Sequence, residues 1–307
     1  MLDVGKLATL RAVLARGSFS AAADDLNLTQ PAVSRQVSLL ERRLGTQLVR
    51  RTQRGVHPTE AGQLLIEHAE AVLGRLALAE AQIADLAGLR SGHVRLGSFF
   101  TALVYLSAEL GGVLEARHPD LFRRQGAVIE DHLVDRATAF RRLAGGELDV
   151  AIVFEHAFAP TPPPTDVELV TLFDDPPRVL MPAGHPLARA ASVAPADLAG
   201  DTWIRAHYGS AAELVDHVIT RARLEPAILH AGHGDEPVEA QAFIAAGRGV
   251  TVAHRLNVIL DPAQIVAVPL QDGPVRHIQA AIMREQRAPA ALAVIDALHD
   301  VARRHTP

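Results

Sequence analysis

The 307-residue chain contains no cysteine, which excludes disulfides and thiolate-bound zinc. Lysine occurs once, at Lys6, so the other cations are arginines. That skew fits a GC-rich coding bias, although the guanidinium fork also suits phosphate. No apolar run is long enough to span a membrane, and the first residues lack a secretory pattern. A cytoplasmic protein with no membrane partner is therefore expected. Enzymatic signatures are missing as well. There is no G-x-S-x-G nucleophile elbow, and Gly247-Arg248-Gly249 is too short for a dinucleotide fingerprint. Despite 15 histidines no catalytic constellation assembles, so neither an enzyme nor a cofactor is expected.

What remains is a long, apolar-rich chain with uneven charge. Hydrophobic residues make up 49 %, enough for a buried core, and the length accommodates two or three domains. Residues 1–62 carry nine basic and five acidic side chains, a net +4, which leaves −9 for the rest of a chain whose total is −5. A positive first module on an acidic body suits a nucleic-acid reader joined to a domain with another task.

In that module Leu7, Leu10, Val13 and Leu14 recur at helical spacing up to Gly17. Ser20 is expected to cap a second helix ending near Asn27. Thr29 is expected to cap a third at about 1 kcal/mol, with Leu28 and Val33 as a hydrophobic staple and Pro31 in the first turn. Val33, Val37, Leu40 and Leu44 share one inward face, and Pro31, Ser34, Arg35, Ser38 and Arg42 take the opposite one. Two helices joined by so short a turn match helix-turn-helix geometry, in which the second helix enters the major groove. Gln30 and Arg35 have the chemistry to read adenine and guanine, and Thr29 and Ser34 suit phosphate or base contacts. The run from Arg50 to Thr59 reads as a hairpin wing for phosphates or the minor groove, with Arg51 and Arg54 beside Gly55. The expected DNA-binding set is Ser20, Thr29, Gln30, Pro31, Ser34, Arg35, Ser38, Arg51 and Arg54.

The strings GSFSAAADDLNLTQPAVSRQVSLLERRLG and RGVHPTEAG resemble the winged helix-turn-helix of LysR-type transcriptional regulators. The match is dense over about a fifth of the chain. Val49 departs from the phenylalanine usual there, which bears on local packing. Further on, GGELDVAIV, HPLA and AFIAAGRGV follow in the family's order. The resemblance implies double-stranded promoter or operator DNA as partner, a small-molecule effector, a dimer or tetramer, and contact with RNA polymerase.

Between the two stretches Leu65, Ala69, Val72, Leu76, Ala79, Ile83 and Leu86 alternate steps of four and three. That repeat fits a helix packed on a partner helix, or a core helix of one chain. The resemblance implies a linker that pairs subunits. Ser91-Gly92-His93 then breaks the helix. Beyond it strands and helices alternate, with expected strands at Val94–Ser98, Ala127–Ile129 and Glu147–Val153 and a helix over Val134–Ala144, giving a mostly parallel sheet. A second α/β set follows from about Val167.

The expected fold is an α+β multidomain chain. It has a winged helix-turn-helix over 1–58, a linker or dimerisation helix over 59–90, and an effector domain over 91–307. The effector domain resembles a two-lobed α/β type 2 periplasmic binding protein, with lobe I about 93–166 and 271–307 and lobe II about 167–270. Ligands of such sheets lie beyond the carboxyl ends of strands. The expected effector contacts are Ser98, Phe99, Phe100 and Thr101 after the first strand, with Thr101 capping a helix, Glu130 after the second and Phe154 after the third. His207, Ser210 and Val238 face them from the other lobe. Acidic Glu130 and Glu155 argue against a dicarboxylate, and the aromatics suit an aromatic or polyhydroxylated molecule. His230, His233, Asp235 and Glu236 permit a metal reading, but Gly232, Gly234 and Pro237 make that segment a strand-to-helix loop, and no metal is expected.

Overall fold

Capping chemistry sets the N-terminal module of the computed structural model, which describes residues 2–52, 55–86, 93–120, 122, 128–231, 237–258, 263–285 and 288–305. Helix α1 (Val4–Arg16) starts where Asp3 accepts a hydrogen bond from Lys6 N at 3.0 Å, and ends on Gly17 in the left-handed region (φ 59°). Helix α2 (Phe19–Asp25) is capped by Ser18, whose Oγ accepts from Ala21 N at 3.4 Å. Ser20 is therefore not the cap; it lies in the first turn, and the earlier start places the Phe19 ring in the core. Helix α3 (Gln30–Leu44) follows Asn27 at φ 52°. Thr29 has the extended N-cap backbone, but its hydroxyl makes no capping bond, so the expected side-chain contribution is absent. Leu28 and Leu44 are 41 and 42 % exposed, which corrects their expected inward packing; Leu48, fully buried, joins Val33, Val37 and Leu40 in the core instead. Strands β1 (Val49–Thr52) and β2 (Gly55–Pro58) pair antiparallel as the wing. Residues 53–54, Arg54 among them, lie outside the described residues.

Thr59 starts helix α4 (Glu60–Leu86) by accepting from Gly62 N at 3.1 Å and donating to Gln47 O at 2.7 Å. Ile66 and Ala69 complete the N-terminal core. Past them Val72, Leu76 and Ile83 are 46, 44 and 65 % exposed. The break expected at Ser91 and Gly92 lies outside the described residues. No described helix is long and apolar enough to cross a membrane.

The C-terminal part holds two sheets. The first has strand order β4-β3-β5-β12-β6, built from β3 (His93–Ser98), β4 (Val128–Leu133), β5 (Val150–His156), β6 (Val167–Asp175) and β12 (Arg276–Met283). Strands β3, β4 and β5 are mutually parallel, and β12 runs antiparallel between β5 and β6. Helix α5 (Phe100–Ala102), a π-helical stretch (Leu103–Ser107) and α6 (Ala108–Arg117) form one winding, which packs with α10 (Pro289–His305) on one face. Helix α7 (Arg136–Ala144) covers the other. Strand β6 corrects the expected lobe boundary at 167, because it pairs with β12 throughout and so belongs to lobe I. Its partner is about a hundred residues away, and no local pattern announces such a pairing.

The main sheet of lobe II is antiparallel. Strand β7 (Pro177–Pro182) lies between β10 (Thr251–His254) and β11 (Ile265–Pro269). A parallel pair, β8 (Trp203–Arg205) and β9 (Ile228–His230), stands beside helices α8 (Ser210–Ala222) and α9 (Val238–Ala245). The chain enters lobe II through Pro176 and returns through 270–275. At that double crossover Arg276 Nη2 and Asp175 Oδ2 meet at 2.6 Å, their side chains 4 and 0 % exposed. Asp175 Oδ1 also accepts from Leu256 N at 3.4 Å, which ties the pair to lobe II.

Candidate nucleic-acid interface and effector cleft

The outer face of α3 presents Pro31, Arg35 and Ser38 to solvent, with Thr29 exposed at its cap and Gln30 and Ser34 half-buried. The wing is drawn against it. Arg51 Nη2 donates to Ser34 Oγ at 3.4 Å, and the Arg51 guanidinium stands 4.4 Å from the centre of the Phe19 ring. Arg51 is thus partly committed within the module, whereas no ion pair engages exposed Arg35 among the described residues. Glu41, on the same helix, is occupied by Leu48 N at 2.9 Å and Val49 N at 3.4 Å and secures the wing's approach. Ser20 is exposed on α2. An exposed guanidinium flanked by hydroxyl and amide groups on a rigid helix can enter a major groove and donate to guanine.

In the C-terminal domain Phe99, Phe100 and Phe154 come together in a cavity of about 330 Å³ at the carboxyl ends of β3, β4 and β5. Phe99 and Phe154 pack edge to face with centroids 4.9 Å apart. Ser98 lies fully buried behind them, its Oγ 3.2 Å from Ser107 Oγ. Thr101 does not cap the helix, since Phe99 holds the N-cap position. It lies in the first turn, 2 % exposed, and its Oγ1 is buried without a hydrogen-bond partner. An orphaned buried hydroxyl is costly; neither Thr101 nor Ser98 lines the cavity.

Glu130 is corrected. Strand β4 runs on to Leu133, so Glu130 lies within it, paired with Arg95 across the ladder and 3.3 Å from His132 Nε2, and it does not line the cavity. Phe154 lies inside β5, not beyond it, because that strand starts three residues later than expected. The residues that take the strand-end role are Leu133, Val134, Asp135 and Arg136. The signal for them was present: Asp135 is a sound N-cap, accepting from Thr138 N at 2.7 Å, and a helix beginning at Arg136 ends the strand where it does. Arg136 donates from Nη1 to Phe154 O and from Nη2 to Glu155 Oε1, each at 3.1 Å. Burial pushes its guanidinium below the usual value, and Glu155 opposes that shift.

His207, Ser210 and Val238 do not line this cavity. His207 is exposed and stacks on His230 at 5.5 Å, Ser210 opens α8, and Val238 opens α9 at 45 % exposure. The lobes touch where Tyr105 Oη donates to Val258 O at 2.8 Å. His156 and His254 face each other across the crossover at 5.1 Å. Of the considered metal set, His233, Asp235 and Glu236 lie outside the described residues, and among the described residues no group of three or more His, Asp or Glu side chains is arranged for a metal.

A winged helix-turn-helix, a long helix and a two-lobed α/β domain together define a DNA-binding regulator with an attached sensor. The family comparisons agree with that class. The model described as "Bacterial regulatory helix-turn-helix protein, lysR family" matches residues 4–63, and that of the "LysR substrate binding domain" matches 87–303. The chain belongs to the LysR family: it is a DNA-binding transcription regulator with an effector-binding domain, and not an enzyme. It is 29 % identical over 301 residues to the HTH-type transcriptional regulator CbbR of Sinorhizobium medicae (strain WSM419), covering 94 % of this chain and 88 % of that one. Among solved structures it resembles a full-length OxyR variant from Pseudomonas aeruginosa, with TM-score 0.68 and 23 % identity over 99 and 95 % of the two chains. It also resembles full-length CbnR complexed with its target DNA, with TM-score 0.62 and 18 % identity over 98 and 100 %.

Proposed function

We propose that residues 1–58 grip operator DNA, that 59–90 pair two subunits, and that 91–307 sense a small effector, with lobe I extended to Asp175. Arg35 on the outer face of α3, exposed and without an ion pair among the described residues, carries the first assignment. Thr29, Gln30, Pro31, Ser34 and Ser38 surround it, Arg51 follows the backbone from the wing, and Ser20 and Arg54 complete the proposed set. The exposed Val72, Leu76 and Ile83 stripe supports a dimer, the form that reads a two-fold operator; two dimers would make a tetramer. RNA polymerase is the further partner this role requires, and the cytoplasm its compartment. Phe99, Phe100 and Phe154 line the cavity of the effector site on lobe I, with Ser98 and Thr101 buried next to them; His207, Ser210 and Val238, outside that cavity, are the lobe II residues assigned to effector response.

Footprinting and salt-dependent retention on duplex DNA test the regulator reading. Neutralised phosphates release counterions, so retention is expected to fall steeply as salt rises, and a promoter segment is expected to be protected at low salt. Flat retention with no protected segment overturns the reading.

A further inference from the structure

The cavity beyond β3, β4 and β5 restricts the charge of its occupant. Phe99, Phe100, Leu133, Val134 and Phe154 give it an apolar wall, and at about 330 Å³ it is at the small end of ligand sites. Its aromatic side is held rigid, because the Arg276 guanidinium stands 5.1 and 4.9 Å from the centres of the Phe99 and Phe154 rings. The charge of Arg276 is already matched by Asp175.

On the polar side, Arg136 Nη2 meets Glu155 Oε1 at 3.1 Å and Thr161 O at 3.0 Å, and Nη1 meets Phe154 O. Arg136 Nε is buried and has no partner. The charge is therefore compensated while one N–H donor stays unspent. Asp135, also lining the cavity, places its carboxylate over the first turn of α7, so the positive end of that helix already holds an anion. An incoming carboxylate would meet Asp135, and no lining cation lacks a countercharge. A neutral ring buries no charge against either group, and Nε, closed off by the chain, is not offered to the occupant.

Building on the reading of this domain as the sensor, we propose that the effector is an uncharged aromatic molecule, its ring against Phe100 and Phe154.

Calorimetric titration of the full chain with benzamide and with benzoate, alike in shape and different in charge, tests this. Benzamide is expected to saturate by about 10 mM, with benzoate about tenfold weaker or more and acetamide silent. Phe100→Ala is expected to weaken benzamide about tenfold or more. Phe100 is outside the hydrophobic clusters, so its truncation leaves the core in place. Benzoate binding as tightly as benzamide overturns the proposal, as does benzamide binding that survives the Phe100 substitution or never saturates. DNA retention on the same samples separates the two readings. Retention without benzamide binding sinks the ligand class alone; benzamide binding without retention sinks the regulator reading alone.

Discussion

The solvent-facing position of Arg35 was legible from the helix repeat alone, because an amphipathic repeat fixes which side chains leave the core. Arg35→Ala is expected to weaken operator binding by about 1–3 kcal/mol in a mobility-shift assay, with melting temperature and subunit association unchanged; equal affinity would remove Arg35 from the interface. Arg136 was not legible. Its role depends on Phe154, Glu155 and Thr161, side by side only after β5 and α7 are placed. His254 is a further residue whose state comes from tertiary context. Burial above all, then Arg276 and His156, hold its imidazole well below the ordinary 6.5. In the unfolded chain that ring takes a proton near its ordinary value, so below it the unfolded state binds more protons and folding is penalised. Thermal stability should therefore fall as pH drops through about 6.5, and His254→Asn should flatten that dependence. An unchanged slope in the variant would show that other groups govern acid sensitivity.

Among elements, α3 and α4 were readable from periodicity, yet periodicity could not say which stretch of α4 packs inside its own chain. Leu65, Ile66 and Ala69 pack against α1 and its neighbours, whereas Val72, Leu76 and Ile83 stay exposed. Leu76→Glu should shift the assembly toward monomer in sedimentation while leaving the effector domain's melting intact; a persistent oligomer would move the subunit contact elsewhere. The other side of α4 meets α7. An added Cβ at Gly74 would overlap the Ala144 carbonyl, and Arg75 pairs with Glu285 at 2.6 Å nearby. Gly74→Val should part the two helices and make the region after α4 more open to limited proteolysis; identical cleavage rates would show that this contact does not persist in solution. Strand ends were the least legible elements. The ladders of β4 and β5 extend past their apolar cores, and end shifts of four and three residues exchanged one set of cleft residues for another.

For the whole molecule, the order of modules followed from charge asymmetry and the family-like strings, while the assignment of β6 needed its remote partner. Helix α7 then acquires a position that no sequence pattern gave it. Its first turn lines the cavity and its last meets α4 near Gly74, a span of about 13 Å for nine residues. The Asp175–Arg276 pair adds a geometric condition. One member lies on the outgoing strand, the other on the returning strand, and the bond between them is dry. Two strands clasped side by side at one crossing rock about it more readily than they slide past each other. An occupant beyond the strands is therefore expected to register as a change of angle between the lobes more than as a change of their separation.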